Sequence, residues 1–256
     1  MERGGRGAGA ERRLRLGEAR WPVVAADGPP LLLVPLGSVE QHGPHLPVAT
    51  DSMVACAAAR QAARRLDADG VDVLVAPALS YGASGEHEDF PGTISIGHEA
   101  LWLLLVEYGR SACRWAGGLV FVNGHGGNVP TLVSAVTRLR AEGRPVAWTA
   151  CAVEGGDAHA GRTETSLLRF IAPWSVRPDL AEAGATEPLA DLMPRLRRDG
   201  VRTVSPNGVL GDPTTSSADE GRATFTAVVD ALVRELTVLD VRDDGRLTPT
   251  PMQVRS

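Results

Sequence analysis

The chain has 256 residues, of which 43% are hydrophobic and 22% charged, and its formal net charge is −5 at pH 7. This length and apolar share suit a globular protein with one large α/β domain or two small ones. The negative charge and the aromatic content of 4% argue against a nucleic-acid partner, because nucleic-acid surfaces are usually basic and often stack bases. No apolar run is long enough to span a bilayer, so we expect no membrane partner.

The two ends of the chain differ in composition from its middle. Residues 1–22 are rich in Arg and Gly and lack the apolar stretch of a secretory signal, so we predict a flexible N-terminal arm. Residues 241–256 are typical of a frayed C-terminal tail. The three cysteines are far apart and none lies in a CxxC pair, which suits a reducing cytoplasm better than a disulfide scaffold. We therefore expect a cytoplasmic protein.

Between these ends, apolar strand-like runs alternate with helix-like segments. The strand-like runs are residues 31–36, 71–79, 118–122 and 146–153, and the helix-like segments are residues 53–66, 99–115 and 130–141. This alternation predicts βαβ units and a mostly parallel β-sheet flanked by helices on both faces. Because sites in such sheets form beyond the carboxyl ends of the strands, we expect the chemistry just after each apolar run.

A polar segment does follow each apolar run. The four segments read GSVEQHGPHL (37–46), SYGASGEHEDFPGT (80–93), NGHGGN (123–128) and EGGDAHAGRTETS (154–166). Every histidine of the chain except His98 lies in one of them, which is not how histidines used only for core packing would be distributed. We therefore predict one shared polar or metal site built from these loops.

The first loop is the richest in candidate ligands, with Glu40, His42, His45 and Asp51 in one short stretch. Carboxylate oxygens and imidazole nitrogens together are typical ligands of divalent metal ions. Glu40 and His42 are two residues apart, so their side chains would leave the same face of an extended backbone. Asp51 precedes a helix-like segment and could instead serve as its N-cap.

The later loops add further candidates. His125 is flanked by glycines that let the backbone approach a ligand closely, and the spacing matches no phosphate-binding motif, so a metal ligand is the favoured interpretation. His159 and Glu164 could form a proton shuttle and a ligand, although Glu164 could also simply favour a helix N-terminus. For residues 86–89, a substrate-facing or supporting loop and a solvated turn remain equally open.

In combination, these segments resemble a known family. PLGSVEQHGPHLPVATD, GEHEDFPGTISI, FVNGHGGN, HAGRTETS and GVLGDPTTSS are similar, in the same order over residues 31–222, to the creatininase family of metal-dependent amidohydrolases. The resemblance implies a single α/β domain over residues 23–240 and hydrolysis of amide-type C–N bonds. It also implies two divalent metal ions per subunit, Zn and/or Fe(II) or else Mn, and assembly into a homo-oligomer.

The resemblance also implies roles for individual residues. Glu40, His42, Asp51 and His125 fall on the metal-ligand positions of the family, with Asp51 as the bridging carboxylate, and His159 falls on a histidine with an acid/base role. Members that open creatinine carry a Glu two residues after the loop histidine, where this chain has Gly127. We expect Glu164 to supply the missing carboxylate ligand.

Within the family, NGHGGN and DAHAGRTETS are most similar to the branch that matures mycofactocin. The member of that branch is expected to cleave a modified ribosomal precursor peptide near its C-terminus and to release a cross-linked Val-Tyr-derived unit. We therefore expect a metal-dependent peptidase with that substrate. The alternatives are a creatinine amidohydrolase, a formamidopyrimidine deformylase, or a non-catalytic metal-binding scaffold.

Overall fold

The computed structural model describes residues 14–24, 26, 28–153 and 155–248. Four parallel strands form one sheet in the order β2-β1-β3-β4: β1 (Leu31–Leu36), β2 (Val73–Val75), β3 (Gly118–Asn123) and β4 (Val146–Ala150). The six helices of the described residues are α1 (Thr50–Ala68), α2 (Gly97–Ala112), α3 (Val129–Ala141), α4 (Arg162–Ile171), α5 (Leu189–Val204) and α6 (Ala218–Val238). This single domain confirms the predicted α/β class and the parallel sheet.

The sheet is covered on both faces because successive side chains of each strand point to opposite sides. In β1, Leu32 and Val34 belong to a core shared with α2 and α3, whereas Leu33 belongs to a second core shared with α1 and α6. All three side chains are fully buried. This double burial explains why the strands are continuous apolar runs rather than alternating ones.

The packed domain extends beyond both predicted boundaries. Residues 1–13 of the predicted arm lie outside the described residues, but the Leu14 carbonyl accepts a 2.7 Å hydrogen bond from the Val75 N–H. At the other end, Leu247 is fully buried, and its N–H donates to the Trp148 carbonyl at 2.8 Å. Residues 241–248 therefore belong to the domain rather than to a tail, because β4 and the core offer them partners. Residues 249–256 lie outside the described residues.

One strand is shorter than the sequence predicts. The run over residues 71–79 forms a strand only at Val73–Val75, since Pro77 lacks the N–H that a longer ladder needs. Farther along the chain, the basic helix α5 buries Leu192 and Leu196.

The structure also bears on membranes and cysteines. None of the helices in the described part of the chain combines the length and the apolarity that a bilayer crossing requires. Cys56, Cys113 and Cys151 are free thiols and half-buried.

Candidate metal centre

The polar loops meet at the carboxyl end of the sheet, where the strand pattern predicted them. Six side chains of the cluster are buried, with exposures between 0% and 8%: Glu40, His42, Asp51, His87, His125 and His159. Glu164 closes the cluster from the first turn of α4, with a side chain that is 23% exposed. The structure thus brings together all six residues predicted as ligands or as the acid/base group, and it adds His87.

Asp51 divides its two carboxylate oxygens between two groups of ligand atoms. Its Oδ2 lies 3.4 Å from His125 Nδ1, which is also 3.2 Å from Glu40 Oε2. Its Oδ1 lies 3.1 Å from His42 Nε2, which is 3.8 Å from Glu164 Oε2. This division is the arrangement that a bridging carboxylate between two ions requires.

Backbone carbonyls fix the orientation of both ligand histidines. His42 Nδ1 lies 3.1 Å from the Glu40 carbonyl, and His125 Nε2 lies 3.0 Å from the Ala83 carbonyl. A carbonyl accepts, so these nitrogens donate, and the opposite nitrogen of each ring faces the carboxylates. Metal-binding histidines are typically held in this way.

Several carboxylate oxygens in the cluster have no hydrogen-bond partner within the described protein. Both oxygens of Glu40 and Oδ2 of Asp51 are buried without one. Buried carboxylate oxygens are costly when left unsatisfied, whereas divalent cations bind such oxygens together with imidazole nitrogens. The residues of this cluster therefore fit a metal centre.

Gly127 leaves no space for the glutamate that the resemblance implies at this position in proteins that open creatinine. A Cβ at this position would collide with His125 Nε2 and would lie 2.5 Å from the Ala83 carbonyl oxygen. Glu164 instead approaches from α4, where its Oε2 also accepts a 2.6 Å hydrogen bond from the Ala160 N–H. Glu164 can therefore act both at the start of the helix and as a metal ligand, because the same oxygen faces the Ala160 N–H and His42 Nε2.

Asn128, the last residue of NGHGGN, ties the loops together. Its Nδ2 donates to the Gly37 carbonyl at 3.0 Å, and its Oδ1 accepts from the Ala83 N–H at 2.9 Å. A Cβ on Gly82 would lie 2.5 Å from that Oδ1, so the close approach requires glycine. The loops after β1, β2 and β3 are thus held in one arrangement.

His45 lies outside the ligand groups of the described residues, although the sequence placed it in the richest loop. It is buried, and its Nε2 lies 2.9 Å from Thr165 Oγ1, next to Glu164 on α4. Its contact therefore joins the first loop to the helix that carries Glu164.

The sequence interpretation left His87 undecided and did not consider Gln41 at all. His87 Nε2 lies 3.4 Å from Glu40 Oε1, and His87 Nδ1 lies 2.9 Å from Gln41 Nε2. The position of His87 in its loop could have indicated a role in the site, because His87 follows β2 just as His42 and His125 follow β1 and β3. For Gln41, only the tertiary structure shows which way its amide points.

Charge interactions shift the pKa values of the cluster strongly. Burial is the largest single effect on His42 and lowers its pKa, but the carboxylates of Asp51, Glu164 and Glu40 together raise that pKa to about 10. Burial likewise lowers the pKa of His125, and Glu40, Asp51 and Glu86 together raise it to about 10. Burial raises the pKa of Glu40, with Asp51 adding to the effect, and it raises the pKa of Glu164 to about 7. The metal-free cluster therefore holds protons at the positions that metal ions would occupy.

From these pKa shifts we predict that zinc affinity rises with pH. His42 and His125 are protonated below about pH 10, and Glu164 loses its proton near pH 7, so bound metal must displace protons. Between about pH 6 and about pH 8, each displaced proton should raise the affinity about 10-fold per pH unit. Calorimetric zinc titrations in two buffers of different protonation enthalpy would count the protons released. An affinity independent of pH would contradict the prediction.

A cavity of about 570 Å³ opens beside the cluster. Asp51, His125 and Glu164 line it at the cluster, and Trp148 and Arg246 line it elsewhere. Its size and mixed lining suit part of a substrate rather than a single water molecule.

The comparison with protein families decides which group of proteins this is. The creatininase family model, described as creatinine amidohydrolase, matches residues 17–236. The chain belongs to the creatininase family. This finding confirms the resemblance inferred from the loop motifs.

Named relatives and solved structures agree with this membership. The mycofactocin precursor peptide peptidase of Mycobacterium tuberculosis (strain CDC 1551 / Oshkosh) is 55% identical over 224 residues, covering 86% of this chain and 89% of the relative. The creatinine amidohydrolase of Pseudomonas putida is 29% identical, with coverage of 85% and 94%. A structure named creatininase Mn is 26% identical with a TM-score of 0.72, covering 88% of this chain and 98% of its own. Amidohydrolases and peptidases both cleave amide C–N bonds, and this creatininase-family chain is a hydrolase of that kind.

Proposed function

We propose that this creatininase-family protein is a metal-dependent peptidase that cleaves the modified mycofactocin precursor peptide near its C-terminus. The main support for this substrate is that the chain is 55% identical to a mycofactocin precursor peptide peptidase but 29% identical to a creatinine amidohydrolase. The buried cluster of carboxylates and histidines supports metal dependence. The released product would be the cross-linked Val-Tyr-derived unit.

We assign two divalent ions to the cluster. Glu40, Asp51 and His125 would hold the first ion, as their ligand atoms lie within 4.8 Å of one another. His42 and Glu164 would hold the second, together with Oδ1 of Asp51, the carboxylate oxygen that faces His42. Zn, Fe(II) and Mn all accept this set of nitrogen and oxygen ligands.

Bound ions would supply Lewis acidity, which makes water a nucleophile near neutral pH and polarises the scissile carbonyl. The protein must then move a proton, since hydrolysis adds hydroxyl to the carbonyl carbon and a proton to the leaving nitrogen. His159 suits this role because its Nε2 donates to the Gln41 carbonyl at 2.8 Å, while its Nδ1 faces the cluster, 3.6 Å from Glu40 Oε1. Burial lowers the pKa of His159, so the ring is neutral and can accept a proton before passing it on.

The segment that contains Gly208 and Leu210 holds His159 in place. The Leu210 N–H donates to the His159 carbonyl at 2.8 Å. A Cβ on Gly208 would overlap the Gln41 amide, and this glycine also has a φ of +80°. The turn-rich loop over residues 205–217 therefore supports the proposed acid/base group directly.

The decisive experiment is mass spectrometry of the metal-reconstituted protein incubated with the modified precursor peptide, with creatinine and with a formamidopyrimidine. We expect release of the C-terminal unit, abolished by a chelator and restored by added zinc. An intact peptide beside hydrolysis of either small amide would place the protein with the amidohydrolases or the deformylases. Full metal loading without any hydrolysis would instead favour a metal-binding scaffold.

We further propose that the protein acts in the cytoplasm as a homo-oligomer. The free cysteines are compatible with a reducing compartment. Several large apolar side chains are exposed, among them Trp174 at 80% and Leu103 at 57%. Exposed apolar side chains of this size are typical of surfaces that bind another chain.

A further inference from the structure

His87 differs from the other histidines of the cluster in the kind of partner that it has. His42, His125 and His159 each place one ring nitrogen against a backbone carbonyl, so that nitrogen carries a proton. His87 instead places its Nδ1 2.9 Å from Gln41 Nε2, which is an amide nitrogen and can only donate. His87 Nδ1 must therefore accept, and a single ring proton would be on Nε2.

The orientation of the Gln41 amide follows from two further contacts. Its Oε1 accepts a 2.9 Å hydrogen bond from the Gly43 N–H, and its Nε2 donates to the Gly208 carbonyl at 3.0 Å. Rotating the amide by half a turn would set two donors together at Gly43 and two acceptors together at Gly208. The backbone therefore fixes which end of the Gln41 side chain carries the protons.

Gln41 Nε2 has two protons, and the Gly208 carbonyl takes one of them. The second could go to His87 Nδ1 or to His159 Nε2, which lies 3.1 Å away. His159 Nε2 already donates to the Gln41 carbonyl at the shorter distance of 2.8 Å, so it has no lone pair to accept with. The second amide proton is therefore given to His87 Nδ1.

From this geometry we infer that Gln41 holds His87 in the tautomer with its proton on Nε2, the ring nitrogen that lies nearer to Glu40 Oε1. His87 and Gln41 are then positioning residues, because they act on the substrate only through Glu40. His87 Nε2 lies 3.4 Å from Glu40 Oε1, whereas His125 Nδ1 lies 3.2 Å from Oε2, the other oxygen of Glu40. Glu40 thus offers one oxygen to the proposed metal centre while its other oxygen faces an N–H group.

The same arrangement decides how many ions the cluster accepts. Glu40, His87 and His159 also have ligand atoms within 4.8 Å of one another, so by distance alone they could form a third metal site. A metal ligand must present a lone pair, and freeing His87 Nε2 would require its proton on Nδ1, where it would face the Gln41 N–H donor. Gln41 thus closes this third group to a metal ion.

Other features agree with a fixed orientation of His87. The ring is 4% exposed, so bulk water offers its nitrogens no alternative partners. Its centroid lies 4.4 Å from that of His159, so neighbouring side chains also restrict the orientation of the ring. The positioning role of His87 rests on the proposed function, because it assumes that Glu40 binds a metal ion. The protonation of His87 can still be measured without any substrate.

The first test is nitrogen-15 NMR of zinc-loaded full-length protein labelled at histidine. Long-range proton–nitrogen spectra distinguish protonated from unprotonated ring nitrogens, and the signals lost in His87→Gln identify His87. We expect a protonated Nε2 and an unprotonated Nδ1. A protonated Nδ1 would overturn the inference. If the expected tautomer were seen in a protein that cleaves no peptide, the proposed function would fail while the assignment of His87 would stand.

The second test changes the partner. In Gln41→Glu, a carboxylate can accept a proton from His87 Nδ1 and so free Nε2 as a ligand. We expect zinc content measured by mass spectrometry to rise from two to three ions per chain, and kcat to fall about 10-fold to 100-fold, the usual effect of losing a group that orients a metal ligand.

Two further variants keep this test informative if Gln41→Glu folds poorly. His87→Gln retains an N–H donor near the Nε2 position and should restore most of the kcat lost in His87→Leu, at unchanged KM. His98→Gln, a change at an exposed histidine outside the cluster, serves as the matched control. Equal loss in His87→Gln and His87→Leu, or three zinc ions in the wild type, would overturn the inference.

Discussion

Replacing Asp51 with asparagine is expected to lower kcat/KM by about 1,000-fold or more, which corresponds to about 4 kcal/mol of transition-state stabilisation. Asparagine keeps the size of the side chain but cannot offer two anionic oxygens. Because Asp51 Oδ1 and Oδ2 face different ligand groups, one substitution weakens both proposed metal positions.

Metal analysis and thermal melting would test the Asp51 prediction beside the kinetics. We expect Asp51→Asn to bind less zinc and to lose most of the rise in Tm that zinc gives the wild type, since a ligand stabilises only the state that binds it. Asp219→Asn is the matched control, because Asp219 is an exposed carboxylate paired with Arg222. Full zinc content together with undiminished kcat/KM in Asp51→Asn would refute the bridging role.

Replacing His159 with alanine is expected to leave both ions bound and to lower kcat by about 100-fold to 10,000-fold, the usual contribution of a general acid or base. The Nε2 of His159 is occupied by the Gln41 carbonyl, and its Nδ1 is the nitrogen that faces the cluster. The ring can thus exchange a proton there without being required as a ligand.

The pH profile gives a second measurement on His159. Burial and the nearby His42 place the pKa of His159 well below its ordinary value, so a base at this position stays unprotonated into mildly acidic solution. In the wild type, the acid limb of kcat/KM that belongs to this group should therefore lie below about pH 6.5. The limb should vanish in His159→Ala. A variant that keeps its fold but loses metal would make His159 a ligand instead.

This chain has Gly127 at the position where the resemblance places a glutamate in members that open creatinine, and the turn has room only for glycine there. Glu164 brings a carboxylate to the same cluster from α4, and burial raises its pKa to about 7. Both His125 and Glu164 line the cavity, so this difference lies beside the space that a substrate would enter.

The sequence by itself determined the alternation of strands and helices and the loops that carry the chemistry. Strand β1 was predicted at residues 31–36 and is observed there, because a strand buried on both faces must be apolar throughout. The convergence of Glu40, His42, His125 and His159 followed from the rule that parallel strands end at one edge of the sheet. Both predictions depend on residue order and hydrophobic pattern alone.

Only the tertiary structure decided the roles of Gln41 and His87 and the extent of the domain. The orientation of an amide depends on partners distant in sequence, such as the Gly208 carbonyl, and no local pattern records them. The burial of Leu247 likewise depends on β4, which lies about 100 residues earlier, a separation at which pattern and propensity carry no information. Sequence periodicity reports which face of an element is buried, whereas hydrogen-bond direction and long-range packing arise only when the elements meet.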